Sequence, residues 1–178
     1  DWRNELPQDP EGYIGRFNYY ILEASNIDIL EEQATGLLTS RREELYIDSA
    51  LTILDQGLSL HPLRLDMHMG YIYVLGQHKR WQDFTPRILT LLERAKLNDF
   101  QGWLWGLDRP VGGDAKIFII ESISDYQSML YSEFTTERLV EIRQIAIVIL
   151  SIKEDHIDQL NMMALSYSET GDPKKGYK

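Results

Sequence analysis

Residue types that do chemistry are sparse in this chain, and their spacing decides what each can do. The four histidines, His61, His68, His78 and His156, do not form a ligand set. His61 and His68 stand seven apart and would share a helix face only if Pro62 did not interrupt it. No His-Glu-x-x-His pair occurs, so no metal site is expected. Paired carboxylates such as Glu31-Glu32 and Glu43-Glu44 are adjacent, so a helix points them to different sides. General acid–base work needs two carboxylates converging in a cleft, and solvated helix faces account for these pairs. There is no Gly-x-Ser-x-Gly elbow, phosphate-binding loop or dinucleotide fingerprint. The expectation is a non-enzyme without cofactors, and a carboxylate-dependent hydrolase ranks last among the readings.

Two tryptophans carry a different chemistry. Trp103 and Trp105 lie one residue apart in a Gly-rich stretch. An exposed pair would stack on a sugar ring or anchor a partner. The alternative is that one or both fold back to fill a gap. Gly112-Gly113-Asp114 offers backbone amides to an anion, but a capped helix start explains it fully.

Composition narrows the field further. The 178 residues suit one domain or one stretch of a repeat array. A chain of this length buries roughly 70% of its unfolded surface, so it needs no covalent staples. The 43% apolar and 11% aromatic content lies far from disorder. With 18 Lys+Arg against 28 Asp+Glu the net charge is −10, which argues against nucleic acid as a partner. The absence of cysteine removes disulfides, thiolate zinc sites, iron–sulfur clusters and cysteine nucleophiles. No apolar run is long enough to span a membrane. The polar start Asp1-Trp2-Arg3-Asn4-Glu5 lacks a signal-peptide core and an initiator Met. The natural start is therefore expected to have been removed. The compartment, cytoplasmic or exported, stays open, as does the oligomeric state.

The elements that must position these residues are helical nearly throughout. Asp9-Pro10-Glu11 reads as an N-cap, a Pro at the first helical position and an acid in the first turn. Tyr13, Phe17, Tyr20, Ile21 and Ala24 follow on one face. Ser25-Asn26 is expected to break that helix, and Asp28 to cap a short second one reaching Leu38. A third carries Ile47, Leu51, Leu54 and Leu58 and ends at His61-Pro62. The fourth runs from about Arg64 to Leu75 and closes at Gly76. The fifth, about Arg80 to Leu97, buries Trp81, Phe84, Ile88, Leu91, Leu92 and Ala95. Pro86 lies within this pattern, so either Thr85 is the true N-cap or the helix kinks there. Residues 98–113 are irregular. Asp114 caps a sixth helix, with a strand at Lys116–Ile120 as the lesser reading. Thr135 or Thr136 starts a seventh, with Leu139, Ile142, Ile145 and Ile149 inward. Its last turns, Ile145 to Leu150, are apolar almost all round, so that end is expected to be buried between neighbours. The eighth spans about Ile157 to Glu169. About eight helices with short links make an all-α protein of antiparallel hairpins.

The last helix carries a recognisable pattern. Ala164 is small, Tyr167 follows three residues later, and Gly171-Asp172 makes a turn before Gly176. This resembles the first helix and turn of a tetratricopeptide repeat. A weaker match places Gly70 at the small position, Tyr73 at the aromatic one and Gly76 at a turn one residue shorter. Gly76 and Gly171 are 95 residues apart, not a multiple of the repeat length of about 34, so the array is degenerate. The stretches Pro62 to Asp66, Trp81 to Phe84 and Asp125 to Tyr131 are similar to tetratricopeptide-like proteins of the Bacteroidetes group.

The resemblance implies hairpins stacked as a right-handed superhelical solenoid. It places hairpins at 11–97 and 114–178 around an insertion at 98–113, all within one segment. It also implies that the chain continues beyond Lys178, since a repeat needs a second helix to cover the first. The implied function is a protein–protein scaffold that takes another protein or peptide in a concave groove. Carried over by position, the groove candidates are Met67, Tyr71 and Val74, and then Asp158, Asn161, Leu165 and Ser168. The alternative is that these residues pack against neighbouring repeats. Leu165 stands where a carboxylate clamp would need Asn, so that ligand mode is not expected. A glycan- or small-ligand-binding module using Trp103 and Trp105 is the second functional reading.

Overall fold

The computed structural model describes residues 8–31 and 36–171, with backbone alone over 27–31 and 36–40. Among the described residues there are seven α-helices and two strands of two residues each, so the protein is all-α. The helices are α1 (Pro10–Glu31), α2 (Gly36–Leu60), α3 (Leu65–Gln77), α4 (Trp81–Leu97), α5 (Ala115–Gln127), α6 (Thr136–Leu150) and α7 (Ile157–Glu169). The strands are β1 (Leu104–Trp105) and β2 (Arg109–Pro110), and a 3₁₀ turn, Ser128–Ser132, follows α5.

The chain divides into two compact units. The first holds the described residues up to Tyr71 together with Trp103–Pro110. The second holds Ile72–Gly102 and the described residues from Val111 onward.

In the first unit, Asp9 caps α1 as expected. Its Oδ1 accepts from Glu11 N at 3.0 Å, and Pro10 fills a position with no helical donor to lose. The expected break at Ser25-Asn26 does not occur, and α1 continues to Glu31. Ser25 Oγ donates to the Ile21 carbonyl at 2.9 Å. The hydroxyl is thus spent inside the helix instead of capping a new one. The short second helix expected up to Leu38 is therefore absent, its ends belonging to α1 and α2. Residues 32–35 lie outside the described residues.

α1 and α2 pack against each other and run antiparallel, since Tyr13 near the start of α1 meets Gly57 near the end of α2. Tyr13, Ile14 and Phe17 of α1 close on Leu54 and Leu58 of α2 and on Met67 and Tyr71 of α3. A methyl group on Gly57 would stand 3.0 Å from both Met67 Sδ and Tyr13 Cβ, so any larger residue there must push one of them aside by a few tenths of an ångström.

In the second unit, α4 buries Trp81, Phe84, Ile88, Leu91, Leu92 and Ala95. The helix starts at Trp81 and runs through Pro86, so Thr85 is not its N-cap. Trp81 and Phe84 meet edge to face at 5.4 Å, and burying both draws the helix start back to Trp81. Pro86 lacks the donor that would reach the Gln82 carbonyl, and both residues lie exposed at the surface. Asp114 caps α5 through bonds from Lys116 N and Ile117 N, so Lys116–Ile120 is helix and not strand. Thr135 caps α6. α6 buries Leu139, Ile142, Ile145, Ala146 and Ile149. Ile147 lies about half exposed, while Ile145, Ala146 and Ile149 are buried and Val148 and Leu150 half-buried, so the end of α6 is covered on most sides but open at Ile147. α6 and α7 are antiparallel neighbours, with Leu139 and Arg143 early in α6 bonded to Ser166 and Thr170 at the end of α7. Gly171 follows at φ +82°, the left-handed helix stop that glycine adopts freely.

Candidate functional site

The α3 candidates face inward. Met67 and Val74 are buried, and Tyr71 is half-buried with its hydroxyl donating to Asp55 Oδ2 at 3.0 Å. Their spacing of four and three is that of a helix stripe, here a core stripe. Gly70 faces the Phe17 ring, where a methyl would make ordinary contact at 3.5 Å. Gly76 is the tight position, since a methyl there would collide with Met129 Sδ and reach within 2.9 Å of Phe84. Tyr73, the expected wedge, is about half exposed and meets the Tyr126 ring at 6.2 Å.

The α7 candidates face outward. Asp158, Asn161, Leu165 and Ser168 are all exposed, at spacings of three and four that set them on one helix face. Ile157 and Leu160 are exposed beside them. The buried side of α7 holds two polar residues, Gln159 and Ser166. Gln159 Nε2 donates to Ser124 Oγ at 2.9 Å and to Gln127 Oε1 at 2.7 Å. Gln127 Nε2 continues to the Ile142 carbonyl at 2.7 Å, and Ser166 Oγ donates to the Leu139 carbonyl at 2.6 Å. Neutral hydrogen bonds therefore dock α7 onto α5 and α6. Ala164 and Tyr167 are half-buried, Tyr167 under the Arg143 guanidinium at 4.5 Å. Asp172 lies outside the described residues.

The two tryptophans separate. Trp103 is 2% exposed and packs edge to face on His68 at 5.7 Å, whereas Trp105 is 41% exposed. The structure does not present them as one open platform.

A side chain that sequence reasoning passed over organises the first unit. Arg64, just before α3, is 1% exposed. Its Nε and Nη2 donate to the two carboxylate oxygens of Asp66 at 3.0 and 2.7 Å. Nη2 also reaches Glu11 Oε1 at 2.8 Å, and Nη1 reaches Asp108 Oδ1 at 3.2 Å. Glu11 Oε1 accepts in addition from Leu107 N at 2.6 Å. The guanidinium fork suits this bidentate geometry. Burial works to lower the Arg64 pKa, but the hydrogen bonds and charges of Asp66 and Glu11 outweigh it and raise it. The group stays charged and performs no proton transfer. It latches the β1–β2 hairpin onto α1 and α3, aided by Leu104 N donating to the Leu63 carbonyl at 2.9 Å. Asp66, two residues on, was readable as a neighbour. Glu11 and Asp108, 53 and 44 residues away, left no local signal.

Two carboxylates of the second unit have displaced pKa values. Hydrogen bonds from Lys79 and Trp81 hold Glu133 below the ordinary carboxylate range, and Trp81 Nε1 donates to it at 2.9 Å. Burial pushes Glu141 up, against the pull of Arg138. Among the described residues, no three of His, Asp or Glu group to hold a metal ion, and no helix is long and apolar enough to cross a membrane. No known protein family, curated protein or solved structure matches this chain.

Proposed function

We propose that the protein is a protein–protein interaction scaffold built from tetratricopeptide-like hairpins stacked as a solenoid, with the exposed face of α7 as its contact surface. One observation carries the reading. α7 turns polar Gln159 and Ser166 inward and leaves Ile157, Leu160 and Leu165 open beside Asp158, Asn161 and Ser168. A helix that half-buries Met162 and Met163 but leaves Ile157, Leu160 and Leu165 outside its own core keeps these three for another surface. The occupant is a helix or extended segment of another protein.

The test is retention of partners from the source cell by the immobilised chain and by a Leu165→Lys variant. Leu165 is exposed, so circular dichroism of the variant should match that of the parent. Proteins held by the parent and lost from the variant support the reading. Identical sets, or no retained protein at all, overturn it.

A further inference from the structure

We propose that the outer face of α1 is a self-association surface, on which a second copy of this chain lays its own α1 antiparallel. This goes beyond the α7 reading and uses none of its residues.

Three observations converge on α1. The first is an uncharged surface. From Gly15 to Asn26 the exposed residues are Gly15, Asn18, Tyr19, Leu22, Ser25 and Asn26, and none carries a charge at pH 7. Positions 15, 19, 22 and 26 step by four, three and four, so they form one stripe. Leu22 is 58% exposed and Tyr19 56%, the Tyr19 ring meeting Tyr20 of its own helix at 5.5 Å. The neighbouring α2 shows what a solvated face of this chain holds, with Arg41, Arg42, Glu44, Asp48 and Asp55 all exposed. Copies of a chain with net charge −10 repel one another, so an uncharged face is where two of them can meet.

The second is charge complementarity along the edge of the stripe. Arg16 and Glu23 are both half-buried and stand seven residues apart, two turns along the same side of the helix. Among the described residues neither holds an ion pair. The edge therefore reads positive and then negative, an order that an antiparallel copy reverses. A two-fold axis between Tyr19 and Tyr20 sets Arg16 against Glu23 of the second copy, and Glu23 against its Arg16. A parallel copy makes neither pair.

The third is shape. The same axis places Leu22 between Tyr19 and Gly15 of the second copy. A methyl group on Gly15 would meet nothing within 4 Å, and Gly15 does not hold a positive φ. Neither packing nor backbone within the chain calls for glycine there, and glycine weakens a helix interior. A notch that receives Leu22 of the second copy accounts for it. The stripe is 12 residues from Gly15 to Asn26, about 18 Å of helix, which is less than a permanent dimer covers. The dimer is therefore weak, formed at about 100 µM and dissociated at about 1 µM.

The test is sedimentation velocity of the full chain between about 1 and about 100 µM, with variants. Dimer should appear at the upper end, and Leu22→Lys should weaken it by at least about tenfold. Gly15→Leu should weaken it too while keeping or raising the melting temperature, because leucine is the better helix former, so lost dimer is not lost fold. Arg16→Glu should weaken the dimer, and Arg16→Glu combined with Glu23→Arg should restore it, since both cross-pairs then re-form with signs exchanged. Orientation is read from single cysteines, which the parent lacks. The axis sets the two copies of position 18 about 4.5 Å apart along the helix and those of position 26 about 20 Å apart. A short bis-maleimide should therefore link Asn18→Cys into dimers and leave Asn26→Cys unlinked. A parent that stays monomeric at about 100 µM, a dimer that survives Leu22→Lys, a double exchange that fails to restore it, or equal linking of both cysteines overturns the proposal. A dimer that ignores Leu22→Lys and dissolves on Leu165→Lys moves the contact to α7 and overturns the α1 surface alone. Retention of cellular proteins that depends on Leu165 and not on Leu22 bears only on α7, so the two readings fail separately.

Discussion

The two compact units bury polar side chains in opposite ways. The first buries a charge, Arg64, and surrounds it with carboxylates drawn from α1, α3 and the hairpin. The second buries neutral groups, with Gln159 of α7 bonded to Ser124 and Gln127 of α5. The difference follows from access to water. Asp108 and Glu11 are partly solvated, so they bring a counter-charge without themselves being fully desolvated. Ser124, Gln127 and Gln159 are all buried, and a charge there would find no such relief. A buried ion suits the joint between distant chain segments, and a buried amide pair suits the seam between packed helices.

Removing the charge gives the largest expected effect. Arg64→Met leaves Glu11, Asp66 and Asp108 facing one another with no cation between them. The expected loss is about 3 kcal/mol, read as a shift of the urea midpoint at unchanged slope. Arg64→Lys should recover only part of it, because an ammonium cannot reproduce the fork to both oxygens of Asp66. Hydrogen exchange at the Leu107 amide should accelerate in both variants, since Glu11 loses the partner that orients it. A Met variant as stable as the parent would show that the latch contributes nothing and erase the contrast between the units.

The neutral network should break differently. Gln159→Leu strips Gln127 Oε1 of its donor, which costs about 1–3 kcal/mol in a buried site. It also removes Gln159 Oε1, which makes no hydrogen bond among the described residues, so the net loss should be about 1 kcal/mol. Adding Gln127→Leu should restore stability, because the group left orphaned by the first change is now gone. The Ile142 carbonyl keeps its place in the α6 ladder. A double variant more stable than the Gln159→Leu single one, by thermal melting, is the expected non-additivity. No pair of changes that retains any of the three carboxylates should rescue Arg64→Met in this way.

What was readable in the sequence was local. Asp9, Asp114 and Thr135 cap their helices because a cap depends on residues two or three positions away. The α4 stripe was readable because it repeats every three to four residues. Ser25-Asn26 misled because serine caps or bonds back with equal ease, and its Ile21 contact settles which. The small-residue pattern pointed to Gly70 as the close approach, but Gly76 is where a methyl group collides. That depends on Met129, 53 positions on, and no repeat spacing encodes it. The α7 residues Asp158, Asn161, Leu165 and Ser168 were reached through the resemblance, which carried them over by position, and the structure leaves all four exposed. The Arg64 latch was not readable, since two of its three carboxylates come from distant segments.

The smallest effects test whether the second unit tolerates charge at its rim. Glu133 and Glu141 both lie there, displaced from the ordinary value near 4.5 in opposite directions. Glu133 is lowered by hydrogen bonds from Lys79 and Trp81. Its ionised form is favoured by folding, so it adds stability above pH 4.5 that disappears as pH falls through its lowered value. Glu141 is raised, chiefly by burial. Its ionised form is disfavoured by folding, so stability present below pH 4.5 is eroded as pH rises through its raised value. Glu133→Gln should therefore lower the melting temperature at pH 7 and Glu141→Gln should raise it. The Glu141→Gln difference should close below pH 4.5, and the Glu133→Gln difference should shrink as pH falls through the lowered value of Glu133. If both variants shift the same way at pH 7, local charge balance outweighs burial at this rim. The opposition between a charged first unit and a neutral second would then hold only in the core seam of Gln127 and Gln159.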